Sequence, residues 1–203
     1  VLAESHIIPK FTGQLFFRSG NAMTAATAPG LADMTATVAR TGTMARTSRQ
    51  IEEDLRRMGA DLSSGAGADT SAVSFAGLSE FSSDLLRLVA ELTQQASFPA
   101  EEFERERRQL VEGLKIERTT PGFLASERFR RVLFGAHPYG TISPTEAQAE
   151  AYRLEQLKDF YVSGPNGKLV QLSTFASLKE SVQPRTVNRF QQLNAVKLQG
   201  AIP

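Results

Sequence analysis

Gly30-Leu31-Ala32-Asp33-Met34-Thr35-Ala36-Thr37-Val38, with Thr41-Gly42-Thr43 behind it, decides how this chain is read. Pro29-Gly30 opens the stretch, and Leu31, Met34, Val38 and Thr41 recur at helical spacing, so a helix is predicted over 31–40. Gly42 supplies its stop. Positions 33, 36 and 37 stand three and four residues apart and so share one face of that helix.

Upstream, Leu15-Phe16-Phe17 forms an apolar run, Val1-Leu2 another, and Ser5-His6-Ile7-Ile8-Pro9 between them reads as a turn. Together they suggest an antiparallel strand pair. Downstream, Thr47 or Ser48 suits the N-cap of a helix running to Met58, with Ile51, Leu55 and Met58 as its apolar stripe and Gly59 closing it. Asp61 to Gly67 is short, small and polar. From Ser71 to Leu78, Val73, Phe75 and Gly77 alternate with Ala72, Ser74 and Ala76, a strand signal.

Residues 81–97 read as a helix that buries Leu85, Leu86, Leu88, Val89 and Leu92. Pro99 suits the N1 position of the next helix, which runs to about Arg118 with Glu101–Arg105 and Glu104–Arg108 as i,i+4 pairs on a solvated face. Pro121 restarts the chain into a helix over 122–134, and His137-Pro138-Tyr139-Gly140 is a turn. Leu154, Leu157 and Phe160 mark a last helix ending near Tyr161. This order implies an α+β fold, an antiparallel sheet with helices packed on one face.

Composition excludes several classes of function. The 203 residues are 41% hydrophobic and 22% charged, a globular balance. A net charge of +1 removes the electrostatic case for nucleic acid or an anionic membrane. No apolar run is long enough to span a bilayer. With no Cys there is no disulfide or thiolate chemistry, and the compartment is left open between cytoplasm and periplasm. A start at Val1, without Met or signal peptide, suggests a processed, trimmed or incomplete copy.

Seven motifs stand in order: Phe17-Arg18-Ser19-Gly20; Gly30-Leu31-Ala32; Thr41-Gly42-Thr43; Ile51 and Leu55 with Met58-Gly59-Ala60; Glu104-Arg105-Glu106-Arg107; Phe134 with His137-Pro138-Tyr139-Gly140; and Leu157-Lys158-Asp159-Phe160-Tyr161. Over residues 1–161 this series resembles the pitrilysin/insulinase-like zinc peptidases, the group that includes the mitochondrial processing peptidase. The resemblance implies an α+β half-domain that pairs with similar domains into a clamshell. Active members carry H-x-x-E-H on the ligand helix and a distal Glu on the long helix. Here those positions carry Asp33, Ala36, Thr37 and Gly113. A catalytic zinc needs three protein ligands and an open fourth position. Asp33 offers one hard oxygen, and Ala36 and Thr37 offer neither a base nor a good ligand. The only histidines are His6 and His137, so no substitute cluster is legible. Catalytic and metal-binding residues are therefore expected to be none, with zinc expected only in a catalytic partner chain.

By the same resemblance, Leu62, Ser63, Ser64, Gly65 and Ala66 lie on the strand to which an active member adds its substrate as a further strand. Such an edge binds extended peptides through main-chain hydrogen bonds. Gly65 to Ala68 leave room for close approach and also fit a plain flexible turn, since Gly-rich strands more often mark bulges or loops. His137, in a His-Pro turn, and His6 read as structural.

Residues 165–203 change character. Pro165-Asn166-Gly167-Lys168-Leu169-Val170-Gln171-Leu172-Ser173-Thr174-Phe175-Ala176, then Pro184-Arg185-Thr186-Val187-Asn188-Arg189-Phe190-Gln191 and Ala195-Val196-Lys197-Leu198-Gln199-Gly200, resemble a periplasmic segment of the resistance-nodulation-division efflux pumps. Gln171 and Gln191 depart from that pattern. Asn166-Gly167 is a turn signal, with short strands expected at 169–172 and 196–198. The expected division is a peptidase-like domain over 1–161 and a hairpin-rich, pump-like fragment over 162–203.

The leading expectation is a non-catalytic, peptidase-family subunit domain that binds a catalytic partner subunit, as a heterodimer, or an extended peptide. Two alternatives stand beside it: a fusion of two fragments with no evolved activity, and a periplasmic transport-associated module. A bacterial periplasm or cell envelope is favoured over the cytoplasm.

Overall fold

The computed structural model describes residues 9–162, 188–190 and 193–195. In chain order the elements are β1 (Lys10–Phe17), α1 (Leu31–Ala39), α2 (Ser48–Arg57), β2 (Asp61–Ala66), β3 (Ser71–Leu78), α3 (Ser82–Gln94), α4 (Ala100–Glu117), α5 (Pro121–Phe134), α6 (Glu146–Glu150), α7 (Leu154–Val162), β4 (Asn188–Phe190) and β5 (Leu193–Ala195). The first ten belong to one compact unit, Pro9–Leu169, and β4 and β5 to another.

β3 is the middle strand of an antiparallel sheet ordered β1-β3-β2. It pairs with β1 from Lys10↔Leu78 to Phe17↔Ser71, and with β2 from Asp61↔Ala76 to Ala66↔Ser71. Side chains two apart share a face. Phe11, Leu15, Leu62, Val73 and Phe75 therefore turn to one side. There they pack on Ile51, Leu55 and Met58 and on Leu85, Leu88, Val89 and Leu92. Gly13 lies opposite Phe75, and a Cβ there would stand 2.3 Å from the ring, so the missing side chain is what lets Phe75 lie across β1.

A second core is built around α1. Leu31, Met34, Val38 and Ala39 pack with Phe103, Val111 and Leu114 of α4, Leu157 of α7, and Phe98, Ala149 and Tyr152. This is the mixed helix-and-sheet fold expected. Among the described residues no helix is long and apolar enough to cross a membrane.

Several local expectations need correction. Leu86 is 47% exposed, because it lies a quarter-turn off the Leu85–Val89–Leu92 stripe. Pro99 is the N-cap of α4 rather than its first helical residue. The charges of α4 pair mainly at i,i+3, as Arg105 with Glu102 and Arg107 with Glu104, not as the i,i+4 pairs expected. Residues 81–97 hold a shorter helix, α3, ending at Gln94. The short helix α6 carries no apolar period long enough to be read from sequence, yet a capping box at Thr145 and Gln148 starts it.

The strand expected at Val1-Leu2 lies outside the described residues; the partner seen for β1 is β3. β4 and β5 pair from Asn188↔Ala195 to Phe190↔Leu193. The Asn166-Gly167 turn and the strands at 169–172 and 196–198 lie outside the described residues.

Candidate functional site

The capping and packing of α1 fix what its surface presents. Leu31, Ala32, Met34, Thr35, Val38 and Ala39 are buried. Asp33, Ala36 and Thr37 are half-buried, and so is Arg40 just beyond the helix. These four residues, at i, i+3, i+4 and i+7, form the accessible stripe of an otherwise enclosed helix. The positions singled out by sequence are thus brought together on one face. Arg40 was not singled out, although its spacing from Asp33 was the signal that could have found it.

The helix start is held firmly. Gly30 caps α1 at φ +81°, a left-handed conformation natural to glycine. A Cβ there would lie 2.9 Å from both Pro144 Cδ and Tyr152 Oη. The Tyr152 hydroxyl donates to the Pro29 carbonyl. Burial above all, and then the negative charge of Asp33, push the Tyr152 phenol up from its ordinary value, so it stays a neutral donor.

The stripe faces strand β2, which ends the sheet on one side. Asp33 Oδ1 accepts the Ala66 N–H at 2.7 Å. Asn21 Nδ2 donates to the Ala66 carbonyl at 3.0 Å, and Asn21 Oδ1 accepts the Asp33 N–H at 3.2 Å. Ser64 Oγ donates to the Ala36 carbonyl at 2.7 Å. The helix therefore runs against the strand direction, with Asp33 beside Ala66 and Ala36 beside Ser64. Gly65 permits this approach, since a Cβ there would stand 3.2 Å from Asp33 Oδ1.

Both main-chain groups of Ala66 are bonded away from β3. In an antiparallel ladder such residues alternate with those bonded to the neighbouring strand. By that alternation the main-chain groups of Ser64 and Leu62 also point off the sheet. Beyond Ala66 the chain covers its own edge: Asn21 N–H donates to the Gly67 carbonyl at 2.9 Å and Ala22 N–H to that of Ala68 at 2.8 Å.

The residues do not fit a catalytic zinc. The Asp33 carboxylate is engaged by the Ala66 amide, and Ala36 brings no donor atom. Gly113 lies on α4, where a Cβ would meet nothing within 4 Å. Among the described residues no three His, Cys, Asp or Glu side chains gather as a metal cluster. His137 is engaged locally, its Nδ1 accepting the Tyr139 N–H at 3.2 Å, and Tyr139 in turn donates to Asp69 at 2.7 Å. These bonds tie the 137–140 turn to the β2–β3 connection. His6 lies outside the described residues.

The chain is similar to a solved protein from Pseudomonas fluorescens described as a peptidase M16 inactive domain, with TM-score 0.73 and 29% identity over 78% of this chain and 39% of that one. It shares its fold with a protease from Helicobacter pylori, TM-score 0.69 at 17% identity over 75% of this chain and 38% of that one. It also shares it with the periplasmic protease PqqL from Escherichia coli, TM-score 0.69 at 17% identity over 78% of this chain and 18% of that one. An uncharacterized transporter of Haemophilus influenzae is 30% identical over 89 residues, 44% of this chain and 8% of that protein. The chain thus spans well under half the length of each of these relatives. The family model described as Insulinase (Peptidase family M16) matches residues 1–129, so the pump resemblance of residues 165–203 gains no support from it. That match covers more than half of the 203 residues, and the chain belongs to the insulinase family of peptidases, family M16.

Proposed function

We propose that this chain is a non-catalytic member of its family, which holds a partner chain or an extended peptide without cutting it. The observation that carries the reading is the accessible stripe of α1. It lies against an edge strand, where a peptidase would need a metal and a base. It offers one carboxylate already bonded to the strand, a methyl group, a hydroxyl and a guanidinium. The likeness to a protein described as an inactive domain supports the same reading.

The edge supplies the binding half. Strand β2 has one neighbour among the described residues, and the main-chain groups of Leu62 and Ser64 point away from it. An incoming chain in extended form adds to such an edge by main-chain hydrogen bonds. That incoming chain is either a peptide or a segment of a catalytic subunit of the same family, which would carry the zinc. The compartment we favour is a bacterial periplasm or envelope.

The test is peptide cleavage by the purified chain with added zinc. No cleavage is expected, together with binding of an extended peptide. Cleavage that depends on zinc and stops with a chelator overturns the reading.

A further inference from the structure

The geometry points to an edge that is partly self-occupied, with Asp33 as the residue that limits how far a guest strand can pair along β2. This inference rests on the peptide-binding reading above and adds its regulation.

Four bonds close one end of the edge. Asp33 takes the Ala66 N–H, Asn21 the Ala66 carbonyl, and the main chain of Asn21 and Ala22 the carbonyls of Gly67 and Ala68. A guest strand needs the same N–H and C=O groups, in alternating pairs. It can bond at Leu62 and Ser64 and must stop before Ala66.

A neutral peptide carbonyl cannot readily displace the carboxylate at Ala66. A hydrogen bond to an ionised acceptor is roughly twice as strong as one between neutral groups. The main chain of Asp33 is also tied to this corner, its N–H donating to Asn21 Oδ1. The chain has turned a helix position that faces the edge into a clamp upon it. The device shortens the bound register and keeps binding weak.

The experiment uses the full chain and a fluorescent, end-capped Thr–Val repeat peptide long enough to span the edge. Variants are Asp33→Ala, which frees the Ala66 N–H, and Asp33→Asn, whose amide oxygen still accepts it. Asn21→Ala frees the Ala66 carbonyl, an independent release if Asp33→Ala folds poorly. Backbone amide exchange at Ala66 is read in every variant.

Weak binding by the native chain, about tenfold tighter binding by Asp33→Ala, and binding between the two by Asp33→Asn, whose neutral oxygen holds the amide less firmly, support the clamp, at roughly one added hydrogen bond. The Ala66 amide should be most protected in the native chain, less so in Asp33→Asn, and exchange fastest in Asp33→Ala. Equal peptide affinity in the native chain and both releasing variants overturns the clamp while leaving peptide binding in place. If no variant binds peptide, the peptide reading of β2 fails. The clamp itself is then decided by exchange, and a rapidly exchanging Ala66 amide in the native chain overturns it.

Discussion

Leu157→Ala is the substitution that shows whether the folding unit extends past the family match. That match stops at residue 129, yet Leu157 on α7 is 0% exposed and packs in the same core as Met34 and Val38 of α1. The change removes about three methylene equivalents. At about 0.8 kcal/mol each this is about 2.4 kcal/mol, and the cavity left behind raises the cost to about 3–4 kcal/mol. For a domain of this size each kcal/mol lowers Tm by about 2–4 °C, so a fall near 10 °C is expected. The assay is urea unfolding followed by far-UV circular dichroism, with the midpoint lowered and the slope unchanged. Leu124→Ala on α5 is the control: Leu124 is 46% exposed, and its loss should cost about 0.5 kcal/mol or less. A Leu157→Ala midpoint within about 1 kcal/mol of the native chain, or a Leu124→Ala cost as large as that of Leu157→Ala, would refute the docking of α7 into the α1 core.

Three further outcomes are expected. Burial holds Tyr161 up to about 12 against an ordinary 10.0 and pushes Tyr152 up as well, so above pH 10 the folded state keeps protons that the unfolded chain loses. Stability is then full below pH 10 and falls as pH rises through about 12; Tyr161→Phe should flatten part of that fall, and a pH-independent melt in this range would contradict it. Thr47→Ala removes a capping box in which Thr47 Oγ1 accepts the Gln50 N–H and Gln50 Oε1 accepts the Thr47 N–H, and should cost about 1 kcal/mol by urea melt, against almost nothing for Ser48→Ala. Gly30→Ala forces a left-handed alanine against Pro144 and Tyr152 and should cost about 2 kcal/mol or more, whereas an unchanged melt would mean that the Gly30 cap does not fix α1.

Much of the frame was legible because it rests on local rules. The stripe Ile51, Leu55, Met58 with Thr47 ahead and Gly59 behind reads as a capped helix, and it is one. The alternation of Val73, Phe75 and Gly77 reads as a strand with a weakly apolar face, and β3 is that strand, with Phe75 and Gly77 buried. What sequence could not supply was pairing over distance. The partner of β1 is sixty or so residues away in β3, and nothing in Leu15-Phe16-Phe17 names it. The stripe on α1 was legible as spacing, but the engagement of Asp33 by Ala66 was not. It depends on Gly65 letting helix and strand approach, and on Asn21, which carries no motif, joining the Asp33 N–H to the Ala66 carbonyl. Arg40 stands seven residues past Asp33, a helical spacing legible in the sequence, and it joins the accessible stripe because its neighbours on α1 are buried.

Closure of the edge follows from one geometric fact. A helix whose accessible stripe is to act on a peptide bound at β2 must lie within bonding reach of that strand, and α1 does, at 2.7 Å from Asp33 to Ala66 and from Ser64 to Ala36. At that distance an acceptor not committed to a metal meets unpaired strand amides directly. A main-chain N–H left without a partner in a half-buried place costs about 1–3 kcal/mol, so a carboxylate at position 33 is drawn to Ala66 rather than to solvent. A side chain held by a metal at the same place would have its lone pairs occupied and would leave the amide free for a guest. On this scaffold an Asp at position 33 does more than fill a place on the helix surface. It supplies the strand with an internal partner, stabilises the helix–edge contact, and shortens the surface on which another chain can pair. Pairing at the Ala66 N–H therefore requires releasing Asp33, whatever is done at Ala36 and Thr37.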